Sequence, residues 1–164
     1  MKSPSPRLLL VQVNWHDRYD GSTVGSEGDF ETCNFVPFED HYYGAIPRKV
    51  KIDLGAGTTD DLVNDITVVW VASRKIVGWY EGATVFRERQ IPHPSPKALD
   101  YAATCRVENG KQLSVRERTF DVIAEGGCLG RARHAFPDPA KDRAFIAKVH
   151  GFIRKHSAHT IGPG

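Results

Sequence analysis

The chain has few cysteines and no long hydrophobic run. No uninterrupted apolar stretch in its 164 residues approaches the roughly 18 residues that a transmembrane helix needs. Residues 8–11 (LLLV) are too short for the core of a signal peptide. The three cysteines, Cys33, Cys105 and Cys128, are odd in number and widely spaced, which indicates neither a disulfide framework nor a zinc ribbon. We therefore expect a cytoplasmic protein without a membrane partner.

Sequence motifs of common enzyme classes are also missing. The chain contains neither the GxxxxGK[ST] phosphate loop nor the GxSxG nucleophile elbow. His156 and His159 are the only closely spaced histidines, whereas zinc needs three or four convergent ligands. Residues 137–141 (PDPAK) superficially resemble the PD…xK spelling of metal-dependent nucleases, but a helix N-cap explains Asp138 without a metal. We expect a binding protein with no catalytic residues, metal or cofactor.

Charge is distributed unevenly along the chain. Residues 1–73 contain 6 Lys/Arg and 11 Asp/Glu, whereas residues 74–164 contain 16 and 9. A basic half favours a surface for phosphates, because neutralising a polyanion releases counterions. The alternative interpretation is a solvated face that only keeps the protein soluble.

The apolar pattern predicts a domain rich in β-strands. We expect a β-hairpin over residues 66–88, with a break at Arg74 and Lys75 and with Gly78 and Gly82 marking a bulge or a close approach of another backbone. Further strands are predicted at residues 7–15, 49–54, 101–108 and 118–123.

The C-terminal part of the chain predicts one long helix. Asp138 at the N-cap and Pro139 at the first helical position would begin it. Phe145, Val149, Phe152 and Ile153 share one face of that helix. The predicted fold class is therefore α+β and β-dominated, a twisted sheet or small open β-barrel with a C-terminal helix packed on it. Residues 1–156 would form a single domain, and residues 157–164 a flexible tail or linker.

Aromatic side chains stand beside small or hydrogen-bonding residues in several segments. A cavity for an extruded base needs aromatic faces, each worth about 1–3 kcal/mol of stacking, and amide groups that read the edge of the base. The Asn34 amide offers two donors and one acceptor. The alternative interpretation is that these rings pack in the core, above all Trp70 in its apolar strand. Trp79 and Tyr80 are neighbours on a predicted strand, so their side chains must face opposite sides of the sheet. The predicted base-binding pocket consists of Trp15, Tyr19, Asn34, Phe35, Tyr43, Trp79 and Tyr80.

Basic residues cluster at predicted loops and strand ends. Surface solvation explains any one of them, and their concentration favours nucleic acid. Arg116 and Arg118 lie two apart on a predicted strand and share a face. The predicted phosphate-binding residues are Arg74, Lys75, Arg87, Arg89, Arg131 and Arg133.

Residues 68–88 (VVWVASRKIVGWYEGATVFRE) resemble the central hairpin of the PUA-like superfamily, especially its EVE and YTH modules. A wider set of segments is similar to N-terminal modules of HNH-type, modification-dependent restriction nucleases; these segments are residues 14–21, 33–37, 42–47, 75–88 and 116–122. The resemblance implies a reader that flips a modified base into an aromatic pocket lined here by Trp15, Tyr19, Asn34, Tyr43 and Trp79. The 164 residues contain no HNH signature, so a nuclease would lie in a separate domain or partner.

Together these observations predict a nucleic-acid-binding module that recognises a modified base by flipping it. Methylated cytosine or adenine in DNA is the expected ligand, DNA is favoured over RNA, and a modification-dependent restriction system is the expected context. One alternative is an RNA-binding module of the same fold that reads a modified RNA base. A small metal-dependent hydrolase or nuclease and a protein-interaction domain are the others.

Overall fold

The computed structural model describes residues 7–19, 34–45, 61–90, 101–127 and 134–160. The predicted strand at residues 49–54 lies outside these ranges. A single α-helix among the described residues, α1, spans Arg143–Thr160, and 3-10 turns span Val107–Asn109 and Val115–Glu117. The strands are β1 (Arg7–Gln12), β2 (His41–Gly44), β3 (Leu62–Ala72), β4 (Lys75–Gln90), β5 (Tyr101–Arg106), β6 (Gly110–Gln112) and β7 (His134–Ala135).

The described strands form one open sheet. Their order is β2-β5-β4-β3-β1-β7, and β6 pairs with β4 beside β5. β1 and β3 are parallel, whereas the other neighbours run antiparallel. With α1 as its helical layer, the chain has the β-dominated α+β class that the sequence predicts.

The β3–β4 hairpin is confirmed, and its turn lies one residue earlier than expected. Ser73 and Arg74 occupy the two turn positions with φ of 49° and 70°. Positive φ at both central residues is typical of the type I′ turn, which matches the twist of the two strands.

Both predicted roles of glycine in β4 are confirmed. Gly82 adopts a φ of 58° at a register shift between β3 and β4, which is a β-bulge. Gly78 allows a close approach, because a Cβ there would lie 2.7 Å from the carbonyl oxygen of Lys111 and 2.8 Å from Cζ of Phe35.

The sheet buries side chains on both faces. On one face, α1 covers the strands with the four residues that the sequence predicts, and Trp79 lies beneath it. The other face is covered by residues that follow β1 and by residues 34–45. This second face contains Tyr19, Phe35, Trp70, Tyr80 and Cys105.

The predicted start of the helix is wrong. Asp138 instead caps a preceding turn, where its Oδ1 accepts hydrogen bonds from the backbone N–H groups of Ala140 (2.8 Å) and Lys141 (2.9 Å). α1 begins only at Arg143, after the backbone carbonyl of Asp142 accepts a hydrogen bond from the N–H of Ile146. The backbone helix continues to Thr160 and so includes part of the expected tail.

The predicted strand at residues 118–123 is also wrong. This segment forms one isolated bridge, between Asp121 and Lys75, because its side chains serve other contacts. Arg118 turns inward and is buried. The Asp121 carboxylate accepts hydrogen bonds from the N–H groups of Ile123 and Ala124, which bends the chain into a turn.

Candidate functional site

Four of the seven predicted pocket residues lie together on the sheet face opposite α1. Tyr19, Asn34, Phe35 and Tyr80 are all almost completely buried. The Tyr80 hydroxyl donates a hydrogen bond to the carbonyl oxygen of Asn34, and the N–H of Phe35 donates to the carbonyl oxygen of Tyr19 at 2.8 Å. The Phe35 and Tyr80 rings meet edge to face, with centroids 5.4 Å apart.

Residues 34–45 bring Asn34 onto this face. A tight turn at Glu39 and Asp40, with φ of 47° and 69°, reverses the chain and leads it into β2. The Asn34 Oδ1 then accepts a hydrogen bond from the N–H of Ala45 at 2.8 Å. The Asn34 amide therefore ties the two ends of the segment together above Tyr80.

Two buried N–H groups at this position have no acceptor among the described residues. They are Nδ2 of Asn34 and Nε1 of Trp70, and both side chains are 1% exposed. An unpaired buried donor costs about 1–3 kcal/mol, and native proteins leave few of them. Among the described residues, these two groups are therefore buried donors without a partner.

The two donors flank the same tyrosine. The Trp70 ring packs edge to face on Tyr80, with centroids 5.1 Å apart, while the backbone carbonyl oxygen of Asn34 accepts a hydrogen bond from the Tyr80 hydroxyl. Gly44 closes the other side, because a Cβ there would lie 2.6 Å from Cζ2 of Trp70. We refer to Asn34, Gly44, Ala45, Trp70 and Tyr80 as the donor cluster.

Trp15 lies outside the donor cluster, at the surface. Its side chain is 38% exposed, and its ring stacks on the Arg118 guanidinium, with Cζ 4.7 Å from the ring centroid. The same guanidinium lies 5.6 Å from the Tyr19 ring centroid. Arg118 thus links the exposed ring to the buried residues.

Arg118 positions the segment that carries Trp15. Although 4% exposed, its guanidinium donates to three carbonyl oxygens, those of Leu113 (3.2 Å), His16 (2.8 Å) and Asp17 (3.0 Å). Burial lowers the pKa of Arg118, and the nearby Tyr19 and Asp17 raise it. Sequence reasoning missed this role, because Arg116 and Arg118 carry the same signal in the sequence and differ only in burial.

The remaining two pocket candidates lie elsewhere. Tyr43 packs edge to face on Tyr101, with centroids 4.9 Å apart, on β2 at the end of the described sheet. Trp79 is 1% exposed on the opposite face, where its ring lies 6.0 Å from Phe152 and 6.1 Å from His156 of α1. The structure therefore does not bring these two rings to the donor cluster.

Two of the predicted phosphate-binding residues lie together at the turn of the β3–β4 hairpin. Arg74 and Lys75 both approach the Asp121 carboxylate, at 3.3 Å and 3.9 Å. Lys75 is five residues from Tyr80 along β4, or about 17 Å at the rise of a strand. Exposed ion pairs of this kind are weak in water, so a phosphate can compete for both cations.

The other predicted phosphate-binding residues do not form a described cluster. Arg87 lies far along β4, where its N–H donates to the carbonyl oxygen of Asp61 at 2.8 Å. The side chain of Arg89 and the whole of Arg131 and Arg133 lie outside the described residues.

The described residues offer no metal centre and no activated thiol. No group of three His, Cys, Asp or Glu side chains in this part of the chain is placed to hold a metal ion. Burial, with the charges of Glu108 and Glu81, raises the pKa of Cys105 to about 12, so the thiol stays protonated and unreactive. No helix in the described ranges combines the length and apolarity needed to cross a membrane.

Comparison with known proteins found no matching family model, no matching curated protein and no matching solved structure. The resemblance to PUA-like modules therefore stays a prediction.

Proposed function

We propose that this chain is a nucleic-acid-binding module that recognises a modified base, a methylated cytosine or adenine in DNA, by flipping it out of the duplex. The proposed fold relatives are the PUA-like modules, and the proposed context is a modification-dependent restriction system in the cytoplasm. In this proposal the chain is not itself an enzyme, and a nuclease would be fused or associated.

The single observation that carries the proposal is the pair of buried donors in the donor cluster that have no acceptor among the described residues. The edges of bases present ring nitrogens and carbonyl oxygens as acceptors. An extruded base that receives hydrogen bonds from Asn34 Nδ2 and Trp70 Nε1 would relieve two buried unpaired groups at once. Tyr80 connects the two residues, because its ring packs on Trp70 and its hydroxyl donates a hydrogen bond to the carbonyl oxygen of Asn34.

Phosphate contacts would supply affinity without reading the base. Lys75 lies about 17 Å from Tyr80 along β4, a distance that spans several nucleotides of a duplex, and Arg74 precedes it in the turn. We therefore propose that they hold the backbone beside the flipped position and give the binding its salt dependence.

Fluorescence anisotropy with short labelled duplexes tests this function. The duplexes carry 5-methylcytosine, 5-hydroxymethylcytosine, N6-methyladenine or no modification, and each is measured at two salt concentrations. A matched RNA strand, with and without the methylated base, is included. We expect tighter binding to one modified DNA that persists at the higher salt. Equal affinity for all DNAs would overturn base recognition, and preference for the modified RNA would reassign the module to RNA.

Two matched tryptophan variants assign the site. Trp70→Phe keeps a ring but removes the unpartnered Nε1 donor, whereas Trp79→Phe makes the same change on the opposite face. We expect Trp70→Phe to reduce the preference for modified DNA by about 3- to 10-fold, which is the value of one neutral hydrogen bond. Trp79→Phe should leave the preference unchanged. Equal effects of the two variants would show that the donor cluster does not read the base.

A further inference from the structure

We propose that Trp15, Arg18 and Arg116 form a second nucleotide-binding surface, which stacks an unpaired base of nucleic acid irrespective of its modification. The proposal rests on the proposed function in one respect, namely that the ligand is nucleic acid. It lies outside the donor cluster, so it would contribute affinity and not discrimination.

The first argument is the exposure of Trp15. The chain has three tryptophans, and the other two are 1% exposed, whereas Trp15 is 38% exposed. One face of its ring is stacked on the Arg118 guanidinium. An exposed indole ring of this kind offers a stacking platform that any base can use, because every base has a π face.

The second argument is that the segment carrying Trp15 is held in place before any ligand arrives. Arg118 donates to the carbonyl oxygens of His16 and Asp17, the two residues that follow Trp15. On the other side, the Tyr19 hydroxyl donates to the carbonyl oxygen of Asn14 at 2.5 Å. A ring fixed in this way loses little conformational freedom on binding, which favours affinity.

The third argument is the charge around the ring. Arg18 lies in the same segment, and Arg116 lies in the 3-10 turn that precedes Arg118. Both side chains are exposed, and neither forms an ion pair with any residue that the structure describes. The same two segments also carry the carboxylates of Asp17 and Glu117, and the Glu117 carboxylate already accepts two hydrogen bonds from Ser114. An aromatic ring beside available cations is suited to a base with its phosphates.

The experiment compares a labelled single-stranded oligothymidylate with an abasic strand of the same length, so that only the bases differ. The full chain is measured as wild type and with Trp15→Ala. Leu62→Ala is the matched control, because Leu62 is 37% exposed and lies at the opposite end of β3 from the region near Trp15. A double variant, Arg18→Gln with Arg116→Gln, tests the phosphate contacts.

We expect Trp15→Ala to weaken binding of the oligothymidylate by roughly 5- to 150-fold, the range for one base stacked on an aromatic ring. The affinity of Trp15→Ala for the abasic strand should equal that of the wild type. The affinity of Leu62→Ala for both strands should also equal that of the wild type. The arginine double variant should bind both strands more weakly, and the slope of log K against log salt should become shallower by about 0.7 for each lost phosphate contact.

Two outcomes would overturn the proposal: no binding of oligothymidylate by the wild type, or an equal loss on both strands with Trp15→Ala. The donor-cluster function is judged separately, by the ratio of affinities for modified and plain duplexes. Trp15→Ala should leave that ratio intact, because Trp15 stacks an unpaired base irrespective of its modification. If the wild type shows no preference for a modified duplex but still stacks oligothymidylate, only the function proposed for the donor cluster fails.

Discussion

Replacement of Arg118 by methionine should destabilise the protein by about 2–4 kcal/mol. The substitution keeps a long unbranched side chain but removes the guanidinium, which donates to three carbonyl oxygens. Hydrogen bonds to a charged group each contribute about 1.5–3 kcal/mol net of desolvation. Three bonds from one guanidinium are coupled and do not add fully, so the expected loss lies below their sum.

Urea denaturation provides the measurement. For a slope of about 2 kcal/mol per M of urea, the midpoint should fall by about 1–2 M. Arg116→Met is the matched control, because Arg116 lies two residues away but is exposed. Substitutions of exposed residues usually change the free energy of unfolding by no more than about 0.5 kcal/mol.

A local measurement separates loss of the Trp15 support from general destabilisation. In the native state of Arg118→Met, the Trp15 ring loses its stacked partner, so quenching of tryptophan fluorescence by acrylamide should increase. Arg118→Lys should lie between wild type and Arg118→Met, because one ammonium group cannot reach three carbonyls in the fork geometry of a guanidinium. If Arg118→Met and Arg116→Met had equal stability, the positioning role of Arg118 would be refuted.

Three further experiments test other parts of the structure. Gly78→Ala should destabilise by more than about 2 kcal/mol, because the added Cβ would meet backbone and ring atoms at 2.7 Å and 2.8 Å. Gly151→Ala in α1, whose Cβ would meet nothing nearer than 3.9 Å, should instead stabilise by up to about 1 kcal/mol; thermal melts of both variants decide this. The free energy of unfolding of the wild type should fall above pH 9 by up to about 1.4 kcal/mol per pH unit. The reason is that the Cys105 thiol has a pKa of about 12 in the fold against an ordinary 9.0, so the unfolded chain loses this proton first. Cys105→Ala should show a shallower fall in urea titrations at pH 9–10, and an identical slope for the two proteins would contradict this prediction. Without ligand, Trp70→Phe should lower the free energy of unfolding by about 1–2 kcal/mol less than Trp79→Phe does, since only Trp70→Phe removes a buried donor that has no partner among the described residues. Equal free energies of unfolding for the two variants would contradict the assignment of Trp70 Nε1 as an unpartnered donor.

Local sequence patterns predicted the main elements well. The β3–β4 hairpin follows from two apolar runs separated by a polar break, and its glycines indicated the bulge and the close approach. The buried face of α1 follows from apolar residues three and four positions apart. The start of the helix was misplaced because Asp138 satisfies the rules for an N-cap equally well in a separate turn.

The candidate site was only partly predictable. Tyr19, Asn34, Phe35 and Tyr80 were identified and do lie together, although their burial also gives each a packing role. Trp79 was placed with them because nothing in the sequence says which face of β4 will receive α1. The structure puts it beneath the helix.

The sequence by itself determined the β-dominated class, the central hairpin and the buried face of the helix, because the periodicities of strands and helices depend only on residues close together in the chain. Only the tertiary structure decided that Arg118 is buried while Arg116 is exposed, because two of the three carbonyls that hold Arg118 come from residues 101 and 102 positions earlier. It likewise decided that Asn34 and Trp70 both contact Tyr80 and each bury an N–H group that no described residue accepts from. Whether a polar group has a partner depends on segments distant in the chain, and a local pattern does not encode that information.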